Sequence, residues 1–260
     1  MSTSSTRGPR RWASHTASVV TRTCSGCSHR PSRTGFARSC STTSAVGIPT
    51  SPPTIARSTA RSHGYARDVL EIVDEFADGP VVFVRHSVSA MIGLLAAIEA
   101  PERFAAQVMV GPSPCYINDG DYVGGFSRAD IDNLLETLEG NYLGWSSSMA
   151  PAIMGAPEQP ELGVELTNSF CGTDPEIAKH FARVTFLSDH RADLARSKTP
   201  ALILQCSDDL IAPQSVGEYM QRALPLSTLC VIENVGYCPH LSAPSARVDA
   251  MEGFLRDLEA

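Results

Sequence analysis

Residues 81–100 read VVFVRHSVSAMIGLLAAIEA, and this stretch decides the fold. Val81 to Val84 is a short, wholly apolar run, which suits a parallel strand buried on both faces. Ala90 to Ala100 follows at once with a helical pattern. Ser87 therefore sits at a strand-to-helix junction. A sharp turn there lifts a serine hydroxyl clear of the backbone and aims the next amide, that of Val88, at a developing oxyanion. Upstream, Asp78-Gly79-Pro80 ends a helix over Tyr65 to Phe76, in which Val69, Leu70, Ile72, Val73 and Phe76 share one face.

Further along the chain, Gln107 to Val110, Pro200 to Gln205 and Thr228 to Ile232 read as strands, with helices near 214–223 and 244–259. Strand alternating with helix predicts an α/β fold, a mostly parallel sheet with helices on both faces. Residues 124–195 carry no strand pattern, only helical segments at 127–138, 141–154, 160–170 and 175–187. Asp174-Pro175 reads as an N-cap followed by Pro at the first helical position. A helical block inserted between two strands is expected to form a lid. Phe126, Trp145, Phe181 and Phe186 would roof a substrate pocket; the plainer alternative is that they hold the helices to one another. Three regions result: an anomalous segment over 1–63, an α/β core over 64–123 and 196–260, and a helical lid over 124–195.

A serine at such a turn calls for an acid and a base in the chain order Ser, Asp, His, each after a later strand. Asp209 follows the strand at 200–205, and His240 follows the strand at 228–232. Order and placement together select Ser87, Asp209 and His240 as candidate catalytic residues, since roles and geometry define a triad. Asp208 is the rival acid. His86 is expected to be a neighbour of Ser87 and not its base.

The first 63 residues have a different composition. They hold nine Arg and no acid, a charge of +9, while the rest sets twelve basic residues against twenty-eight acids, a charge of −16. Ser and Thr fill 25 of the first 62 positions, and no period of 2 or 3.6 organises the few apolar residues. Such a stretch reads as a disordered tail, as a transit peptide, or as translation out of frame. Cys24 and Cys27 have half-site spacing with no second ligand pair at finger spacing, so no metal is expected. The five Cys after residue 64 sit singly, as buried thiols do, and no disulfide is expected. The acidic bulk excludes a generic nucleic-acid binder, and no apolar run reaches the ~18–20 residues of a membrane span. Without a secretory signal, the expected location is cytoplasmic.

Residues 64–260 resemble the RsbQ-type branch of the α/β-hydrolases, stress sigma-factor regulators related to the plant karrikin and strigolactone receptors. The resemblance rests on GYARDVLEIVDE, VMVGPSPCYIND, GGF, NYLGW, FCGTDPEIAKHFA, FLSDHRADL, LILQCSDDLIAP and CPHLSAP. It implies Ser87 as nucleophile, Asp209 as acid, His240 as base, a four-helix lid over an apolar pocket, and no metal or cofactor. It further implies a small apolar ester- or lactone-like ligand and a phosphatase partner in a sigma-factor pathway. The alternatives are a receptor with little turnover and an inactive pseudogene product.

The departures from that pattern are specific. The family's elbow reads GHSVG, where this chain has Arg85-His-Ser-Val-Ser89, and Tyr237 replaces a non-catalytic His. The early strands and the loop that gives the second oxyanion amide are not legible before Gly64. One base out of register, however, Ser14–Thr21 permits AHGFGCDQ and Arg22–Gly47 permits DMFRLLTPAFEDRFRTVLFDYVGCG. Two compensating frameshifts, near residues 10 and 62, are the expected explanation and would account for both the missing loop and the missing acids. Resequencing the gene across codons 8 to 92 is expected to find paired indels; a read confirming every printed base rejects the frameshift.

Overall fold

The computed structural model describes residues 17–20, 37–39 and 62–259. Six strands form one parallel sheet in the order β2-β1-β3-β4-β5-β6. They are β1 (Ala17–Val20), β2 (Ala37–Ser39), β3 (Val81–His86), β4 (Phe104–Val110), β5 (Ala201–Asp208) and β6 (Ser227–Val235). Helices α1 (Ser62–Phe76) and α2 (Val88–Glu99) flank β3 in sequence, and α7 (Gln214–Ala223) joins β5 to β6. A short helix α8 (Pro239–Ser242) and a long α9 (Pro244–Glu259) end the chain. Each expected strand and helix after Gly64 is present, and the ends shift by only a few residues.

The apolar run of β3 is explained by its two faces. Val81 and Phe83 pack with Tyr65, Val69 and Val73 of α1 and Ile92 of α2. Val82 and Val84 pack on the opposite side with Val108, Leu202 and Leu204, against Met251 and Phe254 of α9. Arg85 is buried despite its charge, and its guanidinium lies over the Phe83 ring, 4.4 Å from the centroid. That stacking gives the cation an electrostatic partner in the aromatic face.

Between β4 and β5 lie four helices: α3 (Arg128–Gly140), α4 (Tyr142–Met154), α5 (Pro160–Cys171) and α6 (Pro175–Phe186). Their starts follow local side-chain chemistry. Ser127 and Asp130 form a reciprocal capping box, and Asn141 accepts from the Gly144 amide. Asp174 accepts from the Glu176 and Ile177 amides ahead of Pro175, as the sequence predicts. At the base of the block, Arg191 bridges Asp119 and Asp189 at 2.7 Å each.

Strands that were not legible in the sequence before Gly64 are present at two places. Val19 and Val20 of β1 pair with Phe83 and Val84, and β2 pairs with β1. Ala17–Val20 is an apolar snatch of that segment, and backbone ladder bonds demand no particular side chain. The Cys24/Cys27 pair, and any loop that would supply a second oxyanion amide, lie outside the described residues. None of the five cysteines among the described residues is in a disulfide. Cys115, Cys206 and Cys238 are buried as expected, Cys230 is half-buried, and Cys171 is exposed, contrary to the expectation for it.

Gly93 brings α2 close to β3: a Cβ there would run into the Phe83 ring. Its carbonyl also accepts from the buried Gln107 amide at 2.9 Å. Gly93→Ala is expected to lower stability by about 1–3 kcal/mol through overpacking. The urea midpoint should fall at unchanged slope, and an unchanged midpoint would refute the tight approach.

Candidate active site

Ser87 stands between β3 and α2 with φ 60° and ψ −140°, the only non-glycine positive φ among the described residues. Its amide donates to the Val110 carbonyl and its carbonyl accepts from the Ala90 amide, both at 2.9 Å. The turn is therefore tied to β4 on one side and to α2 on the other. Val88 is the first residue of α2, so its amide has no acceptor within its own helix.

Asp209 follows β5 and is buried, whereas the rival Asp208 is exposed. Oδ1 of Asp209 accepts from the Ile211 amide at 2.8 Å and the Ala212 amide at 3.1 Å. The Gln205 side-chain amide donates to the Ala212 carbonyl and, at 3.4 Å, to Oδ2 of Asp209. Burial outweighs the two backbone donors and pushes the Asp209 carboxyl up to about 6.

His240 lies on α8, after β6. Both of its ring nitrogens are buried and have no hydrogen-bond partner among the described residues. Burial first, then the neighbouring His86 and Arg247, holds its pKa well below the usual imidazole value. His86 packs beside it, with ring centroids 4.7 Å apart, and its Nε2 meets the Tyr237 carbonyl at 2.7 Å. Burial pulls His86 down to about 4 against that hydrogen bond.

The partner that Ser87 does have is Tyr237. The Tyr237 hydroxyl donates to Ser87 Oγ at 2.6 Å. The Tyr116 hydroxyl lies 3.4 Å from the same Oγ and 3.3 Å from the Tyr237 hydroxyl. Burial raises both phenols, so each remains a neutral donor. The signal in the sequence was the tyrosine itself, which departs from the family pattern; Tyr116 carried none.

Ser87, His86, Tyr116, Tyr237 and His240 share the wall of one cavity of about 240 Å³, most of which is apolar. The fold thus brings Ser87 and His240 to one cavity, while no hydrogen bond links His240 to Ser87 or to Asp209. Trp145, Phe181 and Phe186 line the cavity. Phe126 is not among the lining residues; its ring meets Phe186 edge-on, with centroids 6.5 Å apart. The lining rings also do packing work. Trp145 stacks on Phe170, Phe181 meets Tyr65 of α1 edge-on at 5.2 Å, and Phe186 meets Tyr116 at 5.1 Å.

The segment carrying Tyr237 and His240 is pinned from two sides. The Gly236 amide donates to the Asp208 carbonyl at 2.7 Å, and the Tyr237 amide donates to the Ile153 carbonyl at 2.8 Å. Gly236, at φ 95°, packs against the Met154 carbonyl and Gly155 so closely that a Cβ would collide. One donor atom each from His86, Cys238 and His240 could meet at a metal ion.

Residues 5–250 match the model of a family described as the alpha/beta hydrolase family. The chain is 37% identical over 189 residues to a karrikin insensitive 2 receptor of Petunia hybrida, covering 72% of this chain and 70% of the other. It is 36% identical over 182 residues to a strigolactone esterase of Arabidopsis thaliana, covering 70% and 68%. The solved structure of a hydrolase from Oleispira antarctica superposes with a TM-score of 0.74 at 39% identity, covering 77% of this chain and 74% of that one. With its parallel sheet, its strained serine turn and these likenesses, the chain belongs to the alpha/beta hydrolase family.

Proposed function

We propose that the chain is a lidded serine hydrolase that acts on a small apolar ester- or lactone-like compound through an acyl-enzyme. The single observation that carries this reading is the backbone of Ser87, a non-glycine residue held at φ 60° on the wall of an apolar cavity. Such strain persists only where the surroundings over-determine it, and it clusters at functional sites. Ser87 Oγ would attack the carbonyl carbon while His240 takes its proton and later returns it to the leaving oxygen. Asp209 would orient the His240 ring, and the Val88 amide would stabilise the oxyanion. Helices α3–α6 would serve as the lid, with Trp145, Phe181 and Phe186 excluding water. Among the described residues, His240 has no hydrogen-bond partner to surrender when its ring turns toward Ser87. The names of the receptor and esterase relatives support a small ligand. The finer RsbQ-type role, with a phosphatase partner in a sigma-factor pathway, rests on the sequence resemblance alone, and the cytoplasmic location on the sequence reading of residues 1–63. Among the described residues, no helix is long and apolar enough to cross a membrane.

A second reading, a ligand-binding receptor with little turnover, is favoured by one contact. With the Tyr237 hydroxyl donating to Ser87 Oγ at 2.6 Å, the serine is held as an acceptor and not by its base.

A serine-directed fluorophosphonate is expected to label Ser87, and Ser87→Ala should abolish the label; labelling that persists in Ser87→Ala overturns the assignment. Tyr237→Phe removes a hydrogen bond worth ~1 kcal/mol that competes with His240, so the labelling rate should rise about five- to tenfold. Tyr237→His should do likewise, and an unchanged rate in both would show that the phenol does not restrain Ser87. Labelling without steady ester turnover would select the receptor reading.

A further inference from the structure

We propose that His86, Cys238 and His240 form a binding site for one zinc-class divalent cation, which silences the hydrolase when bound by taking its base. One donor atom from each of the three side chains lies within 4.8 Å of the others. Two imidazole nitrogens and one thiolate suit a borderline-soft ion such as zinc and do not suit magnesium or calcium.

Three independent features favour the site. First, both nitrogens of His240 are buried with no hydrogen-bond partner among the described residues, and a buried polar atom in that state calls for a ligand. Second, His86 Nε2 is engaged by the Tyr237 carbonyl at 2.7 Å, which fixes Nε2 as the protonated atom and leaves Nδ1 as the lone pair. A histidine ligand anchored through its other nitrogen to a carbonyl is the usual outer-shell arrangement. Third, all three residues line the cavity, so a fourth coordination position would open onto it for water. Cys238 and His240 come from the start of α8 and His86 from the end of β3, so two well-fixed elements meet there.

Zinc–nitrogen and zinc–sulfur bonds of about 2.0–2.3 Å set ligand-to-ligand distances of roughly 3.3–3.8 Å. The cluster, whose donor atoms lie within 4.8 Å of one another, must therefore contract by up to about 1–1.5 Å. The His240 ring, whose nitrogens have no hydrogen-bond partner among the described residues, is the member least restrained from moving. On binding, the Cys238 thiol gives its proton to solvent, the thiolate and the two neutral imidazoles each donate a lone pair, and no electron is transferred. The His240 lone pair is then unavailable to the Ser87 proton.

The silencing half rests on the hydrolase reading, but the metal half does not, so the test reads them separately. The full chain, reduced and stripped with a chelator, is titrated with zinc against a chromophoric chelator, and separately with cobalt(II). Cys24→Ser/Cys27→Ser is the background, because that pair is the rival thiol site. One equivalent should bind, and cobalt should give a thiolate charge-transfer band. Cys238→Ser should lose the band, and both Cys238→Ser and His240→Asn should bind zinc at least about tenfold more weakly, a loss that even an outer-shell change can produce. If Cys238→Ser does not fold, His240→Asn alone decides: zinc affinity unchanged there overturns the site. No binding in the background chain, or a band that persists in a folded Cys238→Ser, also overturns it. Zinc should block fluorophosphonate labelling of Ser87, and added chelator should restore it. Zinc bound with undiminished labelling overturns the silencing. A chain that binds zinc but never labels, with or without chelator, refutes the hydrolase reading and leaves the metal site standing.

Discussion

The turn at Ser87 is the constraint on which the rest of the structure depends. Holding a non-glycine residue at φ 60° costs on the order of 1–3 kcal/mol, and the chain meets that cost by packing. The strand entering the turn is apolar on both faces and the helix leaving it is apolar for most of its length, so both ends are clamped before the turn is made. Two backbone hydrogen bonds, to Val110 and from Ala90, leave Ser87 little choice of conformation. Gly93 lets α2 lie close enough to Phe83 for that clamp to close.

A second constraint joins the helical block to the sheet. Gly236 and Tyr237 hydrogen-bond to Asp208 at the end of β5 and to Ile153 near the end of α4. The contact of Gly155 with Gly236 allows the two backbones to meet without side chains between them. The segment that places Tyr237 against Ser87 is thus shared by core and helical block. A change in the seating of α4 therefore reaches the Ser87 hydroxyl through two hydrogen bonds.

The fold was legible because its signals are local. The unbroken apolar run at 81–84 marks a doubly covered strand, and Asp174-Pro175 marks a helix start; both lie within a few residues of where they act. The positions of Ser87, Asp209 and His240 at strand ends follow from chain order. What chain order cannot convey is which side chain reaches Ser87. Tyr237 lies 150 residues away in sequence, and its hydroxyl lands on Oγ only because β3, β6 and α4 converge there. Phe126 shows the same limit: its helical-block position and apolar character predicted the cavity wall, yet its ring packs on Phe186 and is not among those lining the cavity. β1 and β2 were illegible for a different reason: at four and three residues they are too short to carry a side-chain period.

The hydroxyl group of Ser87 has one proton and two lone pairs, and the competition for them defines the resting site. Tyr237 donates into one lone pair at 2.6 Å, and Tyr116 stands at 3.4 Å, able to donate or accept. Neither phenol can take the serine proton as a base, because burial raises both far above neutrality. The group suited to that task is an imidazole, and burial keeps His240 neutral with its lone pair unspent. Asp209 carries the complementary penalty, a buried carboxyl raised to about 6 with no ion-pair partner among the described residues. An imidazolium formed between Ser87 and Asp209 would offset the cost of burying each charge. Closing the proposed triad would require the His240 ring to reach both Ser87 and Asp209, to neither of which it is hydrogen-bonded. The short Tyr237–Ser87 bond is the interaction that must yield before that closure can be realised.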